Sequence, residues 1–131
     1  MKIKFLSISL QNERENKIEF TSELTRRAEE EYDVLFFHEP SQKIANQIEI
    51  SKTRVNIFAG PTTLILKLNQ WVENPFEQVF EGKTNSFSLF TYLHSLEFDQ
   101  ATSTYNFKYE IAPQAKSENL IGEFNVKLVI E

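Results

Sequence analysis

A chain of 131 residues, 40% hydrophobic and 25% charged, has the size and mix of one globular domain with a single core. Its lack of cysteine excludes disulfides, thiolate nucleophiles and sulfur-ligated zinc. The net charge of −5, with 19 acidic against 14 basic residues, argues against the concentrated basic face that nucleic-acid binding requires, and the adjacent Arg26 and Arg27 are followed closely by Glu29, Glu30 and Glu31.

The opening residues MKIKFLSISL place two lysines around an apolar start, as a secretory leader does. However, Ser7 and Ser9 interrupt the apolar run, and Gln11 to Lys17 follow with no small-residue cleavage site. The segment therefore reads as a first strand and the protein as cytoplasmic. Ile3 and Phe5 lie on one parity and Leu6, Ile8 and Leu10 on the other, which predicts a β-bulge in this strand.

Ile18, Phe20 and Leu24 then alternate, followed by the apolar stretch Tyr32 to His38 and by Ile48 with Ile50. Val55, Ile57 and Ala59 form the next alternating set, and Leu64, Leu66 and Leu68 the one after. Phe76 to Phe80, Phe87 to Phe98, Tyr105 to Ile111 and Phe124 to Ile130 complete the series. With turn residues between them and every proline in a gap, these segments are about ten short strands of an antiparallel sandwich or barrel. Two stretches also fit a helix. Leu24, Ala28 and Tyr32 in 22–32 have that spacing, as do Leu89, Leu93 and Leu96 in 86–97, where Thr84 or Ser86 would cap.

Several polar residues fall in phase with apolar strand faces, where a ligand-holding barrel places its few polar groups. Continuing Ile18, Phe20 and Leu24 by twos reaches Arg26, and Val34 and Phe36 lead to His38. Gln78 lies between Phe76 and Phe80, and Tyr105 and Tyr109 flank Phe107. An arginine with a tyrosine hydroxyl above a Phe-lined pocket suits a carboxylate head group. Val34-Leu35-Phe36-Phe37 is apolar on both faces, so one face needs cover, which a second copy of the chain would supply. Trp71 is the other candidate anchor for a partner.

Familiar catalytic and metal signatures are absent. The three glycines are scattered, and Pro40 prevents His38-Glu39 from starting a metalloprotease helix. The acidic group Glu29, Glu30, Glu31 and Asp33 lacks the spacing and glycine of a calcium loop and reads as a solvated hairpin end. No metal or cofactor is expected.

The stretch YDVLFFHEPSQKIANQIEISKTRVNIFAGPTTLILKLNQ, followed in order by EGKTNSFSL, STYNFKYEI and GEFNVKLVI, resembles the YwiB-like family of bacterial proteins over nearly the whole chain. That resemblance implies a closed calycin-type barrel and brings a fold rather than an activity. Two features depart from the family pattern: Phe58 stands where an arginine precedes the strand-closing glycine, and Thr84-Asn85-Ser86 replaces a Thr-Pro-Tyr-Gly turn. Intracellular lipid-binding proteins have similar strand numbers, but Gln11 to Asn16 is only a turn and leaves no room for their helical lid.

The expectation is an all-β, single-domain chain over residues 1–131, an antiparallel calycin- or lipocalin-like barrel of about eight to ten strands without catalytic machinery. The first reading of its function is a binding module for a small apolar or amphipathic ligand held in the barrel by Arg26, His38, Gln78, Tyr105 and Tyr109. The second is a protein-interaction module, a homodimer through strand 34–37 with Leu35, Phe37 and Trp71 at the interface. The third is a hydrolase or lyase at the barrel mouth, resting on His38, Glu39 and Glu81.

Overall fold

The computed structural model describes residues 1–131 and contains ten strands and no helix, hence none long and apolar enough to cross a membrane. The first five are β1 (Lys2–Gln11), β2 (Arg14–Glu29), β3 (Tyr32–Glu39), β4 (Ile44–Ile50) and β5 (Arg54–Ala59). They are followed by β6 (Thr62–Lys67), β7 (Trp71–Phe80), β8 (Lys83–Asp99), β9 (Thr104–Ala112) and β10 (Gly122–Ile130). Two-residue turns with both residues at positive φ, the geometry that matches strand twist, join β1 to β2 at Asn12 (51°) and Glu13 (62°) and β7 to β8 at Glu81 (51°) and Gly82 (76°).

Every strand is antiparallel to its neighbours, in the order β6-β5-β4-β3-β2-β1-β10-β9-β8-β7. The chain is thus a meander whose first and last strands pair side by side, with Lys2 and Glu131 exchanging backbone hydrogen bonds at 2.8 Å. The sheet curls into a nearly closed barrel. One end carries both chain termini and the β2–β3, β4–β5, β6–β7 and β8–β9 turns, and the opposite end carries the remaining turns.

A cluster of 16 buried side chains fills the interior, with Ile3, Leu35, Val55, Leu66, Leu93 and Leu128 fully enclosed. Phe37 packs among them against Phe5 and Phe20, at ring separations of 6.1 and 6.0 Å. Every strand except β7 contributes to this cluster. The buried residue of β7 is Asn74, only 3% exposed.

Asn74 sits at the seam where β6 meets β7. The ladder there is reduced to single bridges, Lys67↔Gln70 and Leu68↔Leu93. The Asn74 side chain takes the place of a strand backbone: Oδ1 accepts the Ile65 N–H at 2.7 Å, while Nδ2 donates to Thr91 Oγ1 at 3.1 Å and to the Val72 carbonyl at 3.2 Å. The Thr91 hydroxyl in turn donates to the Ile65 carbonyl at 2.7 Å. A carboxamide can do this because it presents a donor and an acceptor together, as a peptide unit does.

Four sequence expectations change, the first being that Pro75 lies inside β7, at the end of the strand order, and not in a gap. β1 has no bulge, since its register with β2 and β10 is unbroken; Ile3, Phe5, Ser7 and Ser9 face inward and Leu6, Ile8 and Leu10 outward. The register shift lies instead in β8, where Leu93 pairs with Tyr109 and Ser95 with Lys108, leaving His94 as the extra residue. That bulge also explains the helix-like spacing in 86–97: with one residue inserted, Leu93 and Leu96 both turn to the core. Segment 22–32 is strand and turn, because residues four apart share a face in a strand as well.

Candidate functional site

The β2–β3 turn at Glu30–Glu31 fixes the pairs Arg26↔Leu35 and Ala28↔Asp33, so Arg26 and Asp33 are diagonal neighbours on the inward face. They meet as a two-pronged ion pair, with Arg26 Nε donating to Asp33 Oδ1 at 2.9 Å and Nη2 to Oδ2 at 2.8 Å. Tyr105, from β9 and 72 positions away, donates its hydroxyl to Asp33 Oδ2 at 2.6 Å. Its ring lies against Phe98, with centroids 4.4 Å apart.

The hydrogen bond to Asp33 raises the Arg26 guanidinium above its ordinary value, outweighing the opposing effect of burial. Burial, followed by the hydrogen bond to Asp33, pushes the Tyr105 hydroxyl up, so it stays a protonated donor. These groups form one wall of an open cleft of about 830 Å³ at the termini end of the barrel, which Tyr32, Lys52 and Phe98 also line. The ion pair is partly solvated, with side chains 32% and 19% exposed for Arg26 and Asp33. Asp33→Asn is therefore expected to cost only about 1 kcal/mol, read from the urea midpoint. Combined with Tyr105→Phe it should cost less than the two single changes together, because they share one carboxylate.

The structure brings two of the predicted site residues together, Arg26 and Tyr105. Tyr109 does not join them. It is buried further along β9, stacked on Phe124 at 4.8 Å, where desolvation raises its hydroxyl. His38 is on the inward-outward alternation as expected, but its face is the outer one, and it is exposed beside Phe36. Gln78 is exposed near the tip of the β7–β8 hairpin. Leu35 and Phe37 are 0% and 1% exposed, so they belong to the core and are not available to a partner. The outward residues of β3 are Val34 and Phe36, with Val34 enclosed between Arg27 and Glu49 on the neighbouring strands. Trp71 lies half-buried on the outer wall, 5.2 Å from Tyr92.

The trio His38, Glu39 and Glu81 is not assembled. Glu39 accepts from the Ser41 hydroxyl and from the Ser41 and Gln42 amides, bonds that hold its carboxyl below the ordinary range and tie it to the β3–β4 turn. Glu81 is at the hairpin tip of β7–β8, with β4, β5 and β6 between β7 and β3. The acidic residues at 29–33 do not converge as metal ligands.

Sequence reasoning placed Asp33 in a solvated hairpin end and so missed it as the partner of Arg26 and Tyr105, and it missed the Asn74–Thr91 clasp. Asp33 would have been found by fixing the β2–β3 turn first, since the turn sets which residue lies diagonal to Arg26. It also missed an outer-wall group in which His94, at the bulge, pairs with Glu110 at 3.1 Å and lies 4.8 Å from Tyr92.

No family model matches the chain. An "Uncharacterized protein" of Mycoplasmopsis pulmonis (strain UAB CTIP) is 36% identical over 107 residues, spanning 80% of this chain and 82% of that protein. The crystal structure of the ywiB protein from Bacillus subtilis superposes with a TM-score of 0.71 at 12% identity, covering 99% of this chain and 90% of that one. That likeness is one of fold, a YwiB-like β-barrel, as the sequence resemblance implied. By its identity and shared length, the chain belongs to the same family as the Mycoplasmopsis pulmonis protein.

Proposed function

We propose that the protein is a non-catalytic binding module of calycin type that takes a small, uncharged amphipathic ligand in the cleft at the termini end of the barrel. The up-and-down strand order supports the calycin reading. The observation that carries the ligand reading is the Arg26–Asp33–Tyr105 group. Arginine has five N–H donors, and Asp33 engages only Nε and Nη2, so the remaining donors serve an acceptor arriving in the cleft. Ile50, Leu96 and Phe98 supply apolar wall beside it. The filled interior directs the ligand to the mouth rather than the centre.

Charge decides the head group. Asp33 already balances Arg26, and three basic and four acidic side chains line the cleft, so an anionic ligand gains little net attraction there. A neutral acceptor such as a ketone or amide fits better than the carboxylate anticipated from sequence.

Prodan, an uncharged fluorescent ketone, is the probe. Its emission is expected to shift and saturate on the wild-type protein. Arg26→Met, which keeps the unbranched apolar stem but removes the donors, should weaken binding by about tenfold, the loss of one hydrogen bond to a charged group. Phe80→Ser, at the opposite end, should leave the titration unchanged. Binding that Arg26→Met leaves intact in a folded protein, or no saturable binding at all, sinks the reading.

A further inference from the structure

The β7–β8 hairpin runs past the rim of the barrel. Pairing with β8 continues to Phe80↔Lys83 on one side of β7, but its other edge meets β6 only around Gln70 and Asn74. From Phe76 to Phe80 that edge has no neighbouring strand. Val79 and Phe80 are 71% and 65% exposed, and Phe87, 44% exposed, stacks on Phe76 at 5.6 Å. Proteins ordinarily guard such an edge with lysine, bulges or cover, because its free N–H and C=O groups invite another strand. The β8 side of the hairpin is guarded in this way, reading Lys83-Thr84-Asn85-Ser86, whereas the β7 side reads Phe76-Glu77-Gln78-Val79-Phe80.

From this edge we infer that a second copy of the chain pairs here, β7 antiparallel to β7, about a two-fold axis at Gln78. The sequence of the edge is self-complementary in this register. Phe76 falls opposite the second copy's Phe80, Glu77 opposite Val79, and Gln78 opposite itself, so all five residues are paired and no like charges face each other. Shifting by two residues in one direction sets Glu77 against itself, and in the other against Glu81. The Gln78 register also extends the stacked Phe76 and Phe87 of one copy with Phe80 of the other, giving a four-stranded β8-β7-β7-β8 ribbon with a continuous aromatic face. The interface is closed by its symmetry and stops at two copies. It stands apart from the cleft, which is at the other end of the barrel.

Because the chain has no cysteine, a single introduced thiol reports the register directly. Gln78→Cys is expected to form a disulfide-linked dimer under mild oxidation, with a yield at least severalfold above that of Glu77→Cys, whose thiol has Val79 opposite. Light scattering on the unmodified full chain should give the dimer mass, and Val79→Pro, which removes an edge N–H, should give the monomer mass with an unchanged circular dichroism spectrum. A monomeric wild type that does not cross-link at position 78 overturns the inference in favour of another protein's strand or none. A dimer that survives Val79→Pro and does not cross-link at position 78 assigns the contact to a different surface, and also overturns it.

Discussion

Phe37→Glu is expected to leave the chain unfolded at neutral pH, with loss of the strand signal in circular dichroism. Phe37 is 1% exposed and packed against Phe5 and Phe20, so the substitution acts on the core and not on a surface. Two costs combine. Removing a buried phenylalanine costs about 4 kcal/mol through lost burial and the space left behind. Keeping a glutamate protonated in that space at neutral pH costs about 4 kcal/mol more, because its ordinary value lies nearly three pH units lower. The total, about 8 kcal/mol, is comparable with the whole stability of a domain, about 5–15 kcal/mol. Phe37→Leu separates packing from charge, with an expected cost of about 1.5 kcal/mol, measured by urea unfolding. A folded, soluble Phe37→Glu protein would mean that the side chain faces outward and that the strand 34–37 surface is available after all.

Asn74→Ala is expected to lower stability by about 3 kcal/mol, at the high end for loss of one polar side chain. The size follows from position. Asn74 is 3% exposed, and its Oδ1 accepts the Ile65 N–H, so the substitution strands a buried donor and loosens Thr91. Thr91→Val should cost less, about 1.5 kcal/mol, since the Ile65 carbonyl keeps part of its bonding to Asn74. Asn74→Asp is the sharper test. An ionised carboxylate there would face the carbonyls of Val72 and Ile65 without a hydrogen to offer. Its folded pKa is then raised above the unfolded value, so the protein is most stable below the ordinary carboxylate range and loses stability as pH rises through the raised value. Urea midpoints measured from acidic to neutral pH check this. A flat profile would mean that the seam does not depend on this side chain.

Much of the fold was legible because a strand buries alternate residues, and that period survives in nearly every segment of this chain. Direction was not. Where both parities are apolar, as at Phe5-Leu6 and Val34 to Phe37, alternation shows that a strand exists but not which set faces in, and His38 was placed on the wrong side for that reason. The bulge hid differently: one added residue in β8 turns a spacing of two into three, and the leucines then resemble a helix face. Arg26 was recoverable from parity alone. Its partner Asp33 was not, because a diagonal contact requires the turn to be counted first, and the choice of Tyr105 over Tyr109 depends on depth along the barrel, which parity does not encode.

The pairing of β1 with β10 has a consequence for synthesis. A ribosome delivers β1 first and β10 last, and the closest pair between them, Leu10↔Glu123, already spans nearly the whole chain. Until the last strand emerges, β1 and β9 each present an open edge and the hydrophobic interior has no floor. The nascent chain can form its hairpins as they appear but cannot complete the barrel until β10 has emerged, and these long-range contacts slow its closure. During that interval the unfinished sheet is the state most exposed to aggregation, and it is the one on which chaperones would act.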